Sequence, residues 1–215
     1  MLISSYNPAE LGDILVCILR PDVADQAEET KGNVTRIFDT QTKETLGYNF
    51  AEVSQYLGTL GDRGQVFLTP SQVASLNKQL ENAGFLAELV PDTESKFVVG
   101  YVETADPHPD SDHLLVTQTR VGQNQKVQIV SGSPNMQAGI KVVVAKVGAM
   151  MPSGLIIWPG SLRGVESNGM ICSGRELRLP NAPQKKGALI LPDDETFEVG
   201  TPFNFSQGAK LFQSK

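Results

Sequence analysis

"KVQIVSGSPNMQAGIKVVVAKVG", Lys126 to Gly148, places two apolar, β-branched runs on either side of a Gly-, Ser- and Pro-containing break. Branched side chains suit a pleated strand, and "SGSPN" supplies the turn chemistry that ends the first run. Working outward, "KFVVGYVETA" and "HLLVTQTRVG" come before this stretch and "GLIIWPG" after it, each bounded by Gly, Pro, Ser or Asp. Such short runs at regular spacing, with no long helix among them, predict a small closed barrel, with a hairpin sandwich as the structural alternative.

Upstream, "ELVPDTESK" (Glu88 to Lys96) is polar, contains a proline and has no hydrophobic period, so it reads as a linker. The expected organisation is an α+β accessory domain over 1–90, a linker over 91–96 and an all-β domain over 97–215. In the first part, "DILVCILR" (Asp13 to Arg20) and "NVTRIFD" (Asn33 to Asp39) read as strands, the second continuing into a hairpin through "TQTKETLGYNF". "TPSQVASLNKQLENAG" reads as a helix. Thr69 caps it, Pro70 takes its first position and Gln72 completes a capping box; Val73, Leu76 and Leu80 share a face, and Gly84 ends it. The acidic stretch Asp22, Asp25, Glu28 and Glu29 reads as a solvated loop.

Composition narrows the function. The chain has 215 residues and a formal net charge of -6, which argues against indiscriminate nucleic-acid binding. The charge is divided, however: residues 1–95 carry 6 basic and 14 acidic side chains, whereas residues 96–180 carry 8 and 6. No apolar run approaches the roughly 20 residues of a membrane span, and the N-terminus lacks the basic start and apolar core of a signal peptide, so a cytoplasmic location is expected. Cys17 and Cys172 lie in or beside apolar runs at no metal or redox spacing, and read as buried, reduced thiols.

Four ordered motifs carry more than periodicity does: "HPDSDHL" (His108 to Leu114), "VQIVSGSPN" (Val127 to Asn135), "AGIKVVVAKVGAMMPSG" (Ala138 to Gly154) and "LRGVESNGMICSGREL" (Leu162 to Leu177). Together they resemble the OB-fold tRNA-binding module of the endothelial-monocyte-activating-polypeptide type, in particular its copy in the bacterial phenylalanyl-tRNA synthetase beta subunit. An additional N-terminal domain ahead of this module is similar to the YtpR type of standalone tRNA-binding protein. The resemblance implies an OB-fold barrel that binds tRNA without catalysis, by shape and backbone contacts. It implies tRNA as a partner and an aminoacyl-tRNA synthetase as a second one, and calls for no cofactor and no metal. Oligomeric state stays open.

The resemblance also implies a site. Ser167 and Met170 of "SNGM" match positions that face tRNA, and His113 matches a lysine on the same face. The family commonly has H-P-x-A-D-K-L; here Ser111 replaces the alanine and His113 the lysine, which removes a fixed positive charge. On residue chemistry alone, Met170 reads equally well as the start of a buried strand. Asn135 could hydrogen-bond sugar or base edges beside a Gly132 hinge, although an ordinary strand turn explains "SGSPN" as readily. Arg163 and Arg175 supply positive charge, with Arg178, Lys126, Lys141 and Lys146 also in the second domain. His108, Asp110, Asp112 and His113 mix imidazole and carboxylate within six residues, as metal sites do, but the resemblance accounts for them as loop architecture. Trp158 invites a stacking role, though a lone aromatic in an apolar run is more usually core or rim. No Ser-His-Asp order, CxxC pair or HExxH helix is present. The alternative to tRNA binding is a protein-interaction or assembly module associated with the translation machinery, since OB barrels host many functions.

Overall fold

The computed structural model describes residues 1–61 and 63–213, which fall into two compact units divided between Glu94 and Ser95. The first contains β1 (Ile3–Tyr6), α1 (Pro8–Leu11), β2 (Ile14–Ile18), β3 (Gln26–Lys31), β4 (Val34–Asp39), β5 (Thr45–Ala51), α2 (Ser54–Leu57), β6 (Gly64–Val66) and α3 (Pro70–Asn82). Its strands form one antiparallel sheet in the order β3-β4-β5-β2-β1-β6.

Period-two alternation builds the core of this unit. Leu15 and Cys17 of β2 are buried and lie opposite Phe50 and Tyr48 of β5, and Val73, Leu76 and Leu80 of α3 join the same apolar cluster. The helix start follows its sequence signature. Thr69 accepts from the Gln72 N–H while the Gln72 side chain accepts from the Thr69 N–H, and Gly84 leaves the helix at φ +72. One expectation needs correction. Glu28 and Glu29 lie not in a loop but in β3, the edge of the sheet, where exposed charges discourage further strand pairing.

The second unit contains β7 (Phe97–Pro107), β8 (Leu115–Arg120), β9 (Lys126–Ser131), β10 (Lys141–Lys146), β11 (Gly160–Leu162), β12 (Val165–Ser167), β13 (Gly169–Ile171), β14 (Ile190–Leu191) and α4 (Phe205–Lys210). The main sheet runs β13-β10-β7-β8-β9 with β14 also on β10, and β11 and β12 form a separate hairpin. A bulge at Glu103 lets the long β7 bend, so that residues 97–101 pair with β10 and residues 101–107 with β8. Val142 and Val144 of β10 belong to one apolar cluster and Val143 and Ala145 to another, so both faces of this strand are covered. That double burial explains its unbroken apolar run.

The sheet does not close by a backbone ladder. Its end strands β9 and β13 are linked through residues 166–168: the Asn168 N–H donates to the Gln128 carbonyl at 2.9 Å, and the Val130 N–H donates to Ser167 Oγ at 3.1 Å. The closed barrel expected from the strand spacing is therefore present only in the coarser form of a curved sheet whose ends are bridged. The interruption is the turn at Asn168–Gly169. Gly169 has φ +152, and a Cβ there would lie 3.1 Å from the Ala145 carbonyl oxygen. "GLIIWPG" is also not a strand: Ile156 makes an isolated bridge to Met150, and Trp158 is half-buried. Among the described residues no helix is long and apolar enough to cross a membrane.

Candidate nucleic-acid interface

The "HPDSDHL" loop is locked from within. The His108 N–H donates to the Leu114 carbonyl at 3.0 Å, and the buried His108 ring is held at both nitrogens. Its Nδ1 accepts the Asp110 N–H at 3.0 Å, so Nδ1 carries no proton and Nε2 donates to the Leu162 carbonyl, also at 3.0 Å. His108 thus ties the loop to the β11–β12 hairpin. Arg163 adds a second tie, donating from Nη1 to the Asp110 carbonyl at 2.7 Å. Positive φ at Arg163 (46) and Gly164 (80) makes the two-residue turn that puts this arginine at the hairpin tip.

His113 is exposed beside this clamp. Its Nδ1 lies 2.9 Å from Asp112 Oδ1 and 3.3 Å from Ser111 Oγ. The His113 hydrogen bond holds the Asp112 carboxyl below the usual carboxylate range. A positive charge on His113 would therefore meet an adjacent negative one.

A groove of about 250 Å³ lies between "SGS" (Ser131 to Ser133), Met170, the Ser173–Glu176 turn and the Lys186–Gly187 segment. Arg175 and Lys186 line it, and neither makes a side-chain hydrogen bond or ion pair among the described residues. Glu176 also lines it, but its Oε2 is already the acceptor for the Ser173 N–H at 2.8 Å and the Ser173 hydroxyl at 2.7 Å. The carboxylate closes its own turn, while the two cations are available to a ligand. Met170 is half-buried and packs against the core. A Cβ on Gly132 would lie 3.2 Å from Leu114 Cδ2, so the groove abuts the loop that carries His113.

Two residues from the sequence reading hold the scaffold. Ser167 is buried and its hydroxyl accepts the Val130 N–H, so this side chain ties β9 to the turn before β13. Asn135 grips Ala188 with both ends of its amide: Oδ1 accepts the Ala188 N–H at 2.8 Å and Nδ2 donates to the Ala188 carbonyl at 3.0 Å. These bonds fix the wall that carries Lys186. Lys186 itself was missed, because "PQKKG" lies outside the motifs and a lysine pair in a polar segment reads as solvated. Three other cations of the unit are paired: Lys126 lies 2.6 Å and Arg120 3.3 Å from Glu103, and Lys141 lies 2.8 Å from Asp193.

Comparison with known proteins separates the units in the same way as their contacts do. Residues 21–92 match a family described as "Domain of unknown function (DUF4479)", and residues 97–202 match one described as "Putative tRNA binding domain". The chain is 47% identical over 201 residues to the "Putative tRNA-binding protein YtpR" of Bacillus subtilis, covering 93% of this chain and 98% of that protein. It therefore belongs to the YtpR family. It is also 44% identical over 140 residues to the phenylalanine–tRNA ligase beta subunit of Oceanobacillus iheyensis, covering 62% of this chain but 17% of that subunit. Among solved structures, the C-terminal domain of Plasmodium vivax p43 aligns over 50% of this chain and 58% of its own, at 25% identity and a TM-score of 0.35.

Proposed function

We propose that this chain is a non-catalytic tRNA-binding protein whose second unit is an OB-fold barrel, gripping tRNA through phosphate and sugar rather than base edges. The observation that carries this reading is the groove in which Arg175 and Lys186 make no ion pair among the described residues, within the segment matched to a tRNA-binding family. Two cations beside small serine and glycine residues suit a close backbone approach, and A-form RNA offers phosphates and 2′-hydroxyls in preference to its major-groove edges. Met170 supplies an apolar contact at the groove, and Arg163 and His113 extend the surface across the adjoining loop. Ser167 and Asn135 position this surface. The likeness to a synthetase beta subunit supports an aminoacyl-tRNA synthetase as a further partner, and a cytoplasmic location follows from that work.

The test is tRNA affinity against salt for the full chain and for Arg175→Gln and Lys186→Gln. Each variant should weaken binding about 3- to 10-fold and reduce the log–log salt slope by about 0.7 to 0.9, the amount for one lost phosphate contact. Unchanged affinity and slope in both variants would remove the groove from the interface. A protein purified with a companion protein and no RNA would favour the assembly-module reading.

A further inference from the structure

The first unit carries a net excess of acidic side chains, yet four of its six basic residues, Arg20, Lys31, Arg36 and Lys43, line one hollow of about 400 Å³. Two of them are fixed on a single buried residue. Arg20 Nη1 donates to the Thr45 carbonyl at 2.6 Å, and Arg36 Nε donates to Thr45 Oγ1 at 2.9 Å. Arg36 Nη2 donates to the Lys43 carbonyl at 2.6 Å, and Lys43 stands at φ +64 in the turn. A non-glycine residue in this left-handed region is uncommon, so the turn is held by its surroundings. Lys43 Nζ and the Arg36 guanidinium both lie over the Phe38 ring, at 5.6 and 4.9 Å, which brings a third cation to the pair.

The three carboxylates around the hollow pair with only two of its four cations. Glu29 pairs with Lys31 at 3.0 Å, Glu88 accepts the Tyr48 hydroxyl at 2.6 Å, and Glu44 reaches Arg20 only at 3.8 Å. Among the described residues neither Arg36 nor Lys43 makes an ion pair, and Nη1 of Arg36 and Nη2 of Arg20 donate to no protein group. Like charges held side by side disfavour the empty arrangement, and an anion that accepts from both forks relieves it. The exposed Leu86 adds an apolar wall to the same hollow, beside Phe85, whose ring carries Lys31 Nζ 4.4 Å from its centroid and packs edge-on against Tyr48.

We propose that this hollow binds a free phosphomonoester bearing a ring, the chemistry of a nucleoside monophosphate, with its phosphate between Arg20, Arg36 and Lys43 and its ring against the exposed Leu86. The planar guanidinium fork matches phosphate geometry, and the volume suits a small ligand. A small anion is favoured over RNA backbone because residues 1–95 carry 14 acidic against 6 basic side chains: a polyanion lying along the unit meets that excess at many phosphates, whereas a compact one in the hollow meets chiefly the charges within about a Debye length. The site is independent of the groove proposed for tRNA.

Calorimetric titration of the full chain with adenosine monophosphate, adenosine and inorganic phosphate tests it. The monophosphate should bind one-to-one, adenosine should not bind detectably, and phosphate alone should bind more weakly. Arg36→Gln and the solvent-side Lys43→Gln should each weaken the monophosphate by about tenfold or more, as expected for loss of a charge-assisted contact, and leave tRNA affinity unchanged. Urea midpoints identify any variant that fails through unfolding, and Lys43→Gln, exposed at the turn, provides the readout if Arg36→Gln does. Absence of saturable monophosphate binding overturns the proposal. So does binding that both folded variants retain, and so does loss of tRNA affinity in them without monophosphate binding, which would assign the cations to RNA backbone.

Discussion

The hydroxyl of Ser167 shows how a side chain's partner can lie beyond the reach of local sequence. "SNGM" marks a turn beside the proposed RNA surface, but the partner of Ser167, Val130, is 37 residues away in sequence and no local spacing reveals it. Truncating the serine leaves a buried N–H unpaired. Ser167→Ala should therefore destabilise the second unit by roughly 1 to 3 kcal/mol, read as a lower urea midpoint, with tRNA affinity in the absence of urea little changed. Met170 gives the opposite balance. It is half-buried against the core and lines the groove, so Met170→Ala should cost less than the roughly 2 to 5 kcal/mol of a fully buried methionine and should also weaken tRNA measurably. An affinity loss confined to Ser167→Ala would reverse these assignments. His108 is the third case: its loop role is legible from the flanking prolines, whereas its bond to the Leu162 carbonyl joins segments 54 residues apart.

Elements whose signals are local are the ones the sequence states most clearly. α3 is the clearest, because capping, first-position proline, apolar face and terminal glycine all lie within sixteen residues and agree. Thr69→Ala removes the side-chain acceptor for the Gln72 N–H and should cost about 1 kcal/mol, measurable as a shift of the first unit's urea midpoint. A midpoint unchanged within error would mean that tertiary packing of Val73, Leu76 and Leu80 alone holds the helix start. β2, β4, β8, β9 and β10 are similarly legible, because β-branched runs and bounding turn residues coincide. β3 is hidden because "QAEETK" has no apolar period: an edge strand gains its backbone partners from β4 and leaves its charges in water. "GLIIWPG" misleads in the other direction. It is apolar because Ile157 fills the core, but its backbone bonds run back to Gly148 and Ala149 within a short loop and add no strand to the sheet. The proposed site divides along the same line: Met170 and Arg175 stand in a motif, while Lys186 stands outside the motifs, beside the Ala188 that Asn135 clamps.

At the scale of the whole molecule, the two cysteines provide one reporter in each unit. Cys17 lies in the first apolar core and Cys172 in the second, and both are free and buried. Burial raises both thiols, Cys17 to about 12, so each is protonated and inaccessible in the native chain near pH 8. Alkylation should then proceed only through opening of the surrounding unit. If the units are independently stable, Cys17 and Cys172 should become reactive at separate urea midpoints, and Cys172 in a fragment beginning at Ser95 should label with the same midpoint as in the full chain. A single midpoint for both, or a collapsed fragment, would show that they unfold as one. The pH dependence has a definite sign. A folded-state value above the unfolded one leaves stability intact below the unfolded value, about 8.5, and removes it as pH rises toward the folded value, because the unfolded thiol ionises while the buried one does not. For Cys17 the loss should be about 1.4 kcal/mol per pH unit across roughly pH 8.5 to 12. Urea midpoints for the first unit should fall over that window, and Cys17→Ala should flatten the slope; an equal slope in the variant would assign the alkaline loss to other groups.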